Sequence, residues 1–303
     1  MPYDHRKDHR NTHRKILTLA GSLVACAALA GCGGTAGSAG TAGTAGTAGS
    51  VTPQRTADAK ATGSPTPEPT PEPTRAQAAR PLSGRTIVID PGHNPGNFQH
   101  SREINQKVDI GTGRKECDTT GTSTDAGYTE AAFTLDVSHR LRDLLKAQGA
   151  KVVLTHDAER PFGPCIDERA RTGNTARADA VVSVHADGSA TGHRGFHVIL
   201  PALVTSGSAD TTKIVGPSRT LGEDIARHFA RATGSAPANY LGSGTGLDVR
   251  KDLGGLNLSN VPKVFVECGN MRDPKDAALL TDAAWRQKAA QGIADGIGTY
   301  LKG

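Results

Sequence analysis

The chain falls into two regimes of patterning. From residue 85 onward, short apolar runs rich in Val and Ile recur at 86–90, 151–155, 180–185, 195–200 and 263–267. Runs of that length, bounded by polar or turn-forming residues, predict buried strands. Between them, stretches near 129–148, 167–178, 218–233, 273–281 and 283–302 carry apolar residues at three- and four-residue spacing and predict helices. Strands alternating with helices predict one α/β domain built on a mostly parallel sheet. At about 220 residues such a domain is large enough for a stable core. The segment "VVSVHADGSATGHRGFHVIL" reads as a local antiparallel excursion, so a mixed sheet is expected.

Before residue 85 neither period is present. Residues 33 to about 80 predict a disordered linker: "GTAGTAGTAGS" has nothing to bury, and "SPTPEPTPEPT" favours extended polyproline II. About 50 residues of such chain could span about 150 Å when drawn out, at about 3.1 Å per residue in the stiff part. Residues 1–31 read as an export signal, with Arg6, Lys7, Arg10, Arg14 and Lys15 ahead of an apolar run from Ile16 to Ala30. That run is too short and too rich in small residues for a typical spanning helix. It ends in Leu29-Ala30-Gly31-Cys32, the pattern of a bacterial lipobox, so Cys32 is the expected site of lipidation and the chain an anchored one. The other reading is an ordinary secretory signal with a chance cysteine. The expected division is therefore signal 1–31, linker 32–80 and folded domain 81–303.

Composition and charge change this picture little. The hydrophobic fraction of 36% and aromatic fraction of 4% are low, and the shortage belongs mainly to the N-terminal third. The formal charge is +5, and residues 1–31 hold five Lys/Arg against two Asp, so about +2 remains once they are removed. That excludes a basic footprint for nucleic acid. Of five cysteines, Cys117, Cys165 and Cys268 lie beyond the signal and the lipidation site. Outside the cytoplasm a pair can oxidise. Cys117 with Cys165, both in polar loop-like sequence, is the expected disulfide, and Cys268, which follows an apolar strand, is expected to be a small buried residue.

The chemistry stands at the strand ends. The first run closes on Asp90-Pro-Gly-His93, "AVVSVH" on His185, and "KVFVE" on Glu267. In open α/β sheets ligands bind beyond the carboxyl ends of the strands. Glu130 opens the helix "TEAAFTLDVSHRLRDLLKAQG", with Thr129 as N-cap, and lies on the stripe of Phe133, Val137, Leu141 and Leu144. A carboxylate on that buried face needs a partner or a metal. His139 lies half a turn away and reads as solvated. Two histidines and a carboxylate with an open position make a catalytic zinc shell, and a further carboxylate outside it can move protons. His93, Glu130 and His185 fit the shell and Glu267 the proton carrier. Singly each has a plainer reading: a structural histidine, a helix-dipole glutamate, a glutamate paired with arginine, a satisfied core histidine. The set of four is what points to chemistry. Asp90 reads either as an orienting partner of a ligand histidine or as a turn-stabilising aspartate, and Asn270 as a cap of the following loop. His100, His156, His193, His197 and His228 read as surface or packing residues.

"IVIDPGH", "GYTEAAFTLDVSHRLRDLLKAQGAKVVLT", "RTGNTARADAVVSVHAD", "GHRGFHVIL" and "VPKVFVECGN" together resemble the zinc-dependent N-acetylmuramoyl-L-alanine amidases of the amidase type 3 family, over about residues 85 to 302. The resemblance implies a six-stranded mixed sheet flanked by helices, one Zn2+ held by His93, Glu130 and His185, and Glu267 as the catalytic glutamate. It implies hydrolysis of the amide between N-acetylmuramic acid and the L-alanine of the stem peptide, with peptidoglycan or muropeptides as partner. A lipid-anchored monomer on the outer face of the bacterial cell membrane is expected. The sequence departs from the family at Asn94-Pro95-Gly96-Asn97, where many members have glycines, and in "HAD" and "ECGN". Some members carry a helical insertion that plugs the site; residues 201–217 are too short and irregular for one, so an open cleft is expected. A zinc carboxypeptidase would place its first two ligands on one short stretch, whereas His93 and Glu130 lie 37 positions apart. A wall-binding lipoprotein without activity would have no physical need of Glu267. With no wall-binding repeat in the sequence, affinity is expected from the cleft, from charge or from the lipid tether.

Overall fold

The computed structural model describes residues 80–303. The signal, nearly all of the linker, and Cys32 lie outside the described residues. Six strands form one sheet: β1 (Thr86–Pro91), β2 (Lys151–Leu154), β3 (Ala180–Asp187), β4 (His197–Pro201), β5 (Leu247–Arg250) and β6 (Lys263–Asn270). Their order is β2-β1-β3-β6-β4-β5, every neighbouring pair parallel except β6 with β4. The long helices are α1 (Glu130–Ala147), α2 (Ile166–Ala176), α3 (Val215–Thr233), α4 (Pro274–Thr281) and α5 (Ala283–Lys302). This is a single α/β domain with a mostly parallel sheet flanked by helices.

The central strands form because both of their faces are covered. In β1 and β3, Ile87, Ile89, Val182 and Val184 point into one large cluster with α1, α3 and α5, contributed by residues such as Phe133, Leu221, Phe229, Trp285 and Ile293. Val88 and Val181 point the other way, into a smaller cluster with Ala176 and Ala178 at the end of α2. Continuous Val/Ile runs are the signature of strands buried on both faces. Helix α1 starts where Thr129 accepts from the Ala132 N–H, and it buries Phe133, Val137, Leu141 and Leu145. Leu145 is fully buried beside this stripe, and the expected Leu144 is half-buried and packs against the same cluster.

The "VVSVHADGSATGHRGFHVIL" segment does reverse direction, as expected, and makes the sheet mixed, but β3 and β4 do not pair with each other: β6 lies between them, parallel to β3 and antiparallel to β4. Strand β5 was not expected; it pairs with β4 at the sheet edge, and its "LDVR" residues stay partly exposed, so it carries no apolar run. Residues 202–214 hold a two-strand turn of Thr205–Ser206 with Ala209–Asp210 and no helix.

Candidate metal centre

Three elements deliver three donors to one point. His93 follows β1 in a turn with φ 60°, Glu130 opens α1, and His185 lies within β3. One donor atom from each lies within 4.8 Å of the others, the single such group among the described residues. His93 Nε2 is 3.1 Å from Glu130 Oε2, and His185 Nδ1 is 2.9 Å from Glu130 Oε1. The Glu130 oxygens also accept the N–H groups of Thr122 and Ala186, at 3.0 and 3.2 Å. His93 Nδ1 sits 3.0 Å from the Thr119 carbonyl. A carbonyl can only accept, so Nδ1 carries a proton, and in the neutral ring Nε2 then presents its lone pair to the Glu130 carboxylate. Two acceptors face each other at hydrogen-bond distance, an arrangement that a proton or a metal cation between them satisfies. The donor set therefore fits a metal ion.

The approach is tight enough to demand glycine twice. A methyl at Gly92 would lie 2.4 Å from His185 Cε1, and one at Gly121, itself at φ +75°, would lie 2.8 Å from both Glu130 Oε2 and His93 Cδ2. On its open side the His185 ring stacks on Phe265, with centroids 5.2 Å apart.

Glu267 stands in the same row. On β6 it is in register with His185 of β3 on one side and with His197 of β4 on the other. It lines one hollow of about 320 Å3 together with His93, Glu130 and His185. Its Oε2 is enclosed and has no hydrogen-bond partner. Burial pushes its carboxyl well above the usual range, and the charges of Glu130 and then Asp187 push the same way against Arg250. Glu130 behaves oppositely. Burial opposes its ionisation, but His93 and His185 beside it hold its carboxyl well below the usual range. Two neighbouring carboxylates are thus pushed in opposite directions.

Beneath the His93 turn lies a buried ionic network that patterning did not reveal. Asp90 is fully buried and does not touch a candidate ligand; it accepts from Lys263 at 3.0 Å, Arg169 at 2.9 Å, Ser183 at 2.9 Å and Thr155 at 2.8 Å. Arg169 also donates to the carbonyls of Pro164 and His93, at 2.9 and 3.0 Å, and to Asp118 at 2.8 Å. Asp118 in turn lies 3.7 Å from His93 Nδ1. Cys117, the neighbour of Asp118, is joined to Cys165 by a disulfide, while Cys268 is free and buried.

The remaining polar residues act in packing. Asn270 is buried and ties two loops together, accepting from the N–H groups of Ser189 and Arg272 and donating to the carbonyls of Ala190 and His193. His139 pairs with Asp157 at the surface, and His156 is buried against the Pro91 carbonyl at 3.0 Å. His193 stacks on Tyr240, whose hydroxyl donates to Asp187 at 2.6 Å. His197 is buried with Nδ1 unpartnered.

Residues 87–299 match the sequence profile of the N-acetylmuramoyl-L-alanine amidase family Amidase_3. An N-acetylmuramoyl-L-alanine amidase of Mycobacterium tuberculosis is 40% identical over 221 residues, which cover 73% of this chain and 88% of the relative. The crystal structure of the N-acetylmuramyl-L-alanine amidase Ami1 of Mycobacterium smegmatis superposes with a TM-score of 0.67 at 39% identity, covering 73% of this chain and 98% of that one. The apo form of Ami1 from Mycobacterium abscessus gives 0.66 at 40% identity, covering 73% and 100%. With the profile match running from the first strand into the last helix, and 40% identity across most of both chains, this chain belongs to the N-acetylmuramoyl-L-alanine amidase family.

Proposed function

We propose that the chain cleaves the amide between the lactyl group of N-acetylmuramic acid and L-alanine as a zinc hydrolase, with His93, Glu130 and His185 as ligands and Glu267 as proton carrier. The amidase activity on peptidoglycan follows from the family, and a cell-wall substrate implies an extracytoplasmic location. The observation that supports the finer reading is the convergence of three donors from three elements beside an enclosed, partnerless carboxylate oxygen. A zinc ion bound there supplies Lewis acidity and lowers the pKa of a water molecule to about 7.

The protein's own groups do the rest. The Thr119 carbonyl fixes the tautomer of His93, and the Thr122 and Ala186 N–H groups fix the carboxylate plane of Glu130. Phe265 stacks on one face of His185 and orients its ring. A cation held by Glu130 would offset one of the charges that oppose ionisation of Glu267, while its burial and Asp187 continue to favour the protonated form. Glu267 then takes a proton from the attacking water and returns it to the departing alanine nitrogen. The lactyl C–N bond breaks, and the products are a lactyl carboxylic acid and a free α-amino group.

The reading is tested by digesting purified peptidoglycan with the chain and identifying the soluble products by mass spectrometry. Stem peptides with a free L-alanine amino terminus are expected. Their release should stop with a chelator and resume with added zinc, and release that continues after complete metal removal would overturn the zinc assignment.

Anchoring through lipid at Cys32 is the second part of the proposal, supported by the Leu29-Ala30-Gly31-Cys32 pattern and a basic, apolar leader. No helix among the described residues is long and apolar enough to cross a membrane. Cys32→Ser is expected to move the chain from the membrane fraction to the soluble fraction of fractionated cells; unchanged membrane association would count against the anchor.

A further inference from the structure

The hollow that contains the metal centre borders two others of opposite character. One, of about 260 Å3, shares His93, His185 and Phe265 with it and is rimmed by Lys115, Glu116 and Asp252. The other, of about 570 Å3, shares Gly121 and Thr122 with it and has no lining residue in common with the charged one. This third hollow lies between the turn that follows His93 and the segment after Thr119. Its lining carries no charged side chain: hydroxyls of Thr120, Thr122, Ser123 and Thr129, the amide of Asn94, and the ring of Phe98.

Phe98 is the unusual member. It is 66% exposed, and among the described residues only Leu203 is a more exposed large hydrophobic. Its backbone is nonetheless firmly held. The adjacent Asn97 is buried, donating to Asp118 at 3.0 Å and the Thr119 carbonyl at 2.7 Å and accepting from the Gly163 N–H at 2.9 Å. Asn94 donates to the Gly163 carbonyl at 2.9 Å and accepts from the Gly96 N–H at 2.8 Å. An aromatic ring kept in water on a braced turn loses little conformational freedom when something stacks on it.

We propose that this groove is a saccharide subsite, with Phe98 as the stacking platform for a sugar ring of the glycan strand next to the muramoyl residue that is cut. N-acetylated hexoses are neutral and present C–H faces to an aromatic ring and hydroxyl edges to Thr and Ser side chains. The stem peptide carries free carboxylate and ammonium groups, which the neutral groove does not match and the Lys115, Glu116 and Asp252 rim does. The inference thus gives the substrate a direction across the centre: glycan on the Phe98 side, peptide on the charged side. That direction rests on the amidase reading; sugar binding at Phe98 does not.

The test uses two readouts. In the first, peptide-free N-acetylglucosamine tetrasaccharide is titrated into the isotopically labelled protein and followed by NMR. Saturable shifts at Phe98, Thr120 and Thr122 are expected, with affinity weakened by about 3- to 10-fold in Phe98→Ala and kept in Phe98→Tyr. In the second, Phe98→Ala is expected to raise KM for glycan-strand substrate by a similar factor with kcat unchanged. KM for muramoyl-L-alanyl-D-isoglutamine, which has a single sugar, should be unaffected. Absence of saccharide binding, shifts confined to the Lys115 and Asp252 side, or equal loss on both substrates would overturn the proposal. Because the titration needs no turnover, a failure of the amidase reading would leave its result intact and distinguishable.

Discussion

Glu267→Gln is expected to reduce turnover of peptidoglycan by about a thousandfold, within the 10²–10⁴ range of a lost general acid-base group, with zinc content unchanged. Glutamine keeps the shape and can neither take nor return a proton. The group it replaces is poorly accommodated: one enclosed oxygen lacks a partner, and the Glu130 and Asp187 charges both oppose its ionisation. The variant should therefore melt no lower than the parent, and activity and stability should move independently. Product release measured beside metal content by atomic emission checks this. A Gln variant with more than about a tenth of parental kcat would remove Glu267 from the proposed mechanism, since a proton carrier accounts for at least about a hundredfold.

The second large effect is on stability. Arg169→Met should destabilise the fold by about 3–5 kcal/mol, the usual result of removing one partner from a buried ionic cluster. In a domain of this size that lowers Tm by about 6–20 °C. Two carboxylates, Asp90 and Asp118, share Arg169, and the loss would leave Asp118 without its charge partner and the His93 and Pro164 carbonyls without a donor. The pH dependence follows from Asp90. Burial works against its ionisation, yet Lys263 and Arg169 hold its carboxyl well below the ordinary 3.8. A depressed carboxyl pKa contributes stability that is complete above the ordinary value and lost as pH falls below it. Parental Tm should thus drop as pH is lowered past about 4, and the slope should flatten in Arg169→Met. Calorimetry across that range would show it, and parallel slopes would separate Arg169 from the titration of Asp90.

How much of this was readable beforehand depended on whether a residue's role was local. The strands that position His93, His185 and Glu267 were legible because burial on both faces demands Val/Ile-rich runs, although His93 stands two residues beyond its strand and the other two strands run on past His185 and Glu267. Glu130 was legible because helical spacing fixes its face. The network below was not. Arg169, Lys263 and Asp118 are ordinary polar residues in sequence, and their partners lie 79, 173 and 51 positions away. Nothing in a local window distinguishes a buried arginine on α2 from a solvated one. The insertion of β6 between β3 and β4 was illegible for the same reason, since it pairs strands far apart along the chain. The edge strand β5 escaped because a half-exposed strand needs no apolar run.

The bond between Cys117 and Cys165 spans 48 positions, and its first half-cystine is followed at once by Asp118 and Thr119, the two residues that face His93 Nδ1. The segment that steadies the imidazole is thereby stapled to the N-terminus of α2, on which Arg169 stands. In a reducing cytosol that staple would be open and the segment looser; beyond the membrane, oxidation closes it. For a chain that acts outside the cytoplasm, this covalent brace beside His93 suits the compartment in which its wall substrate lies.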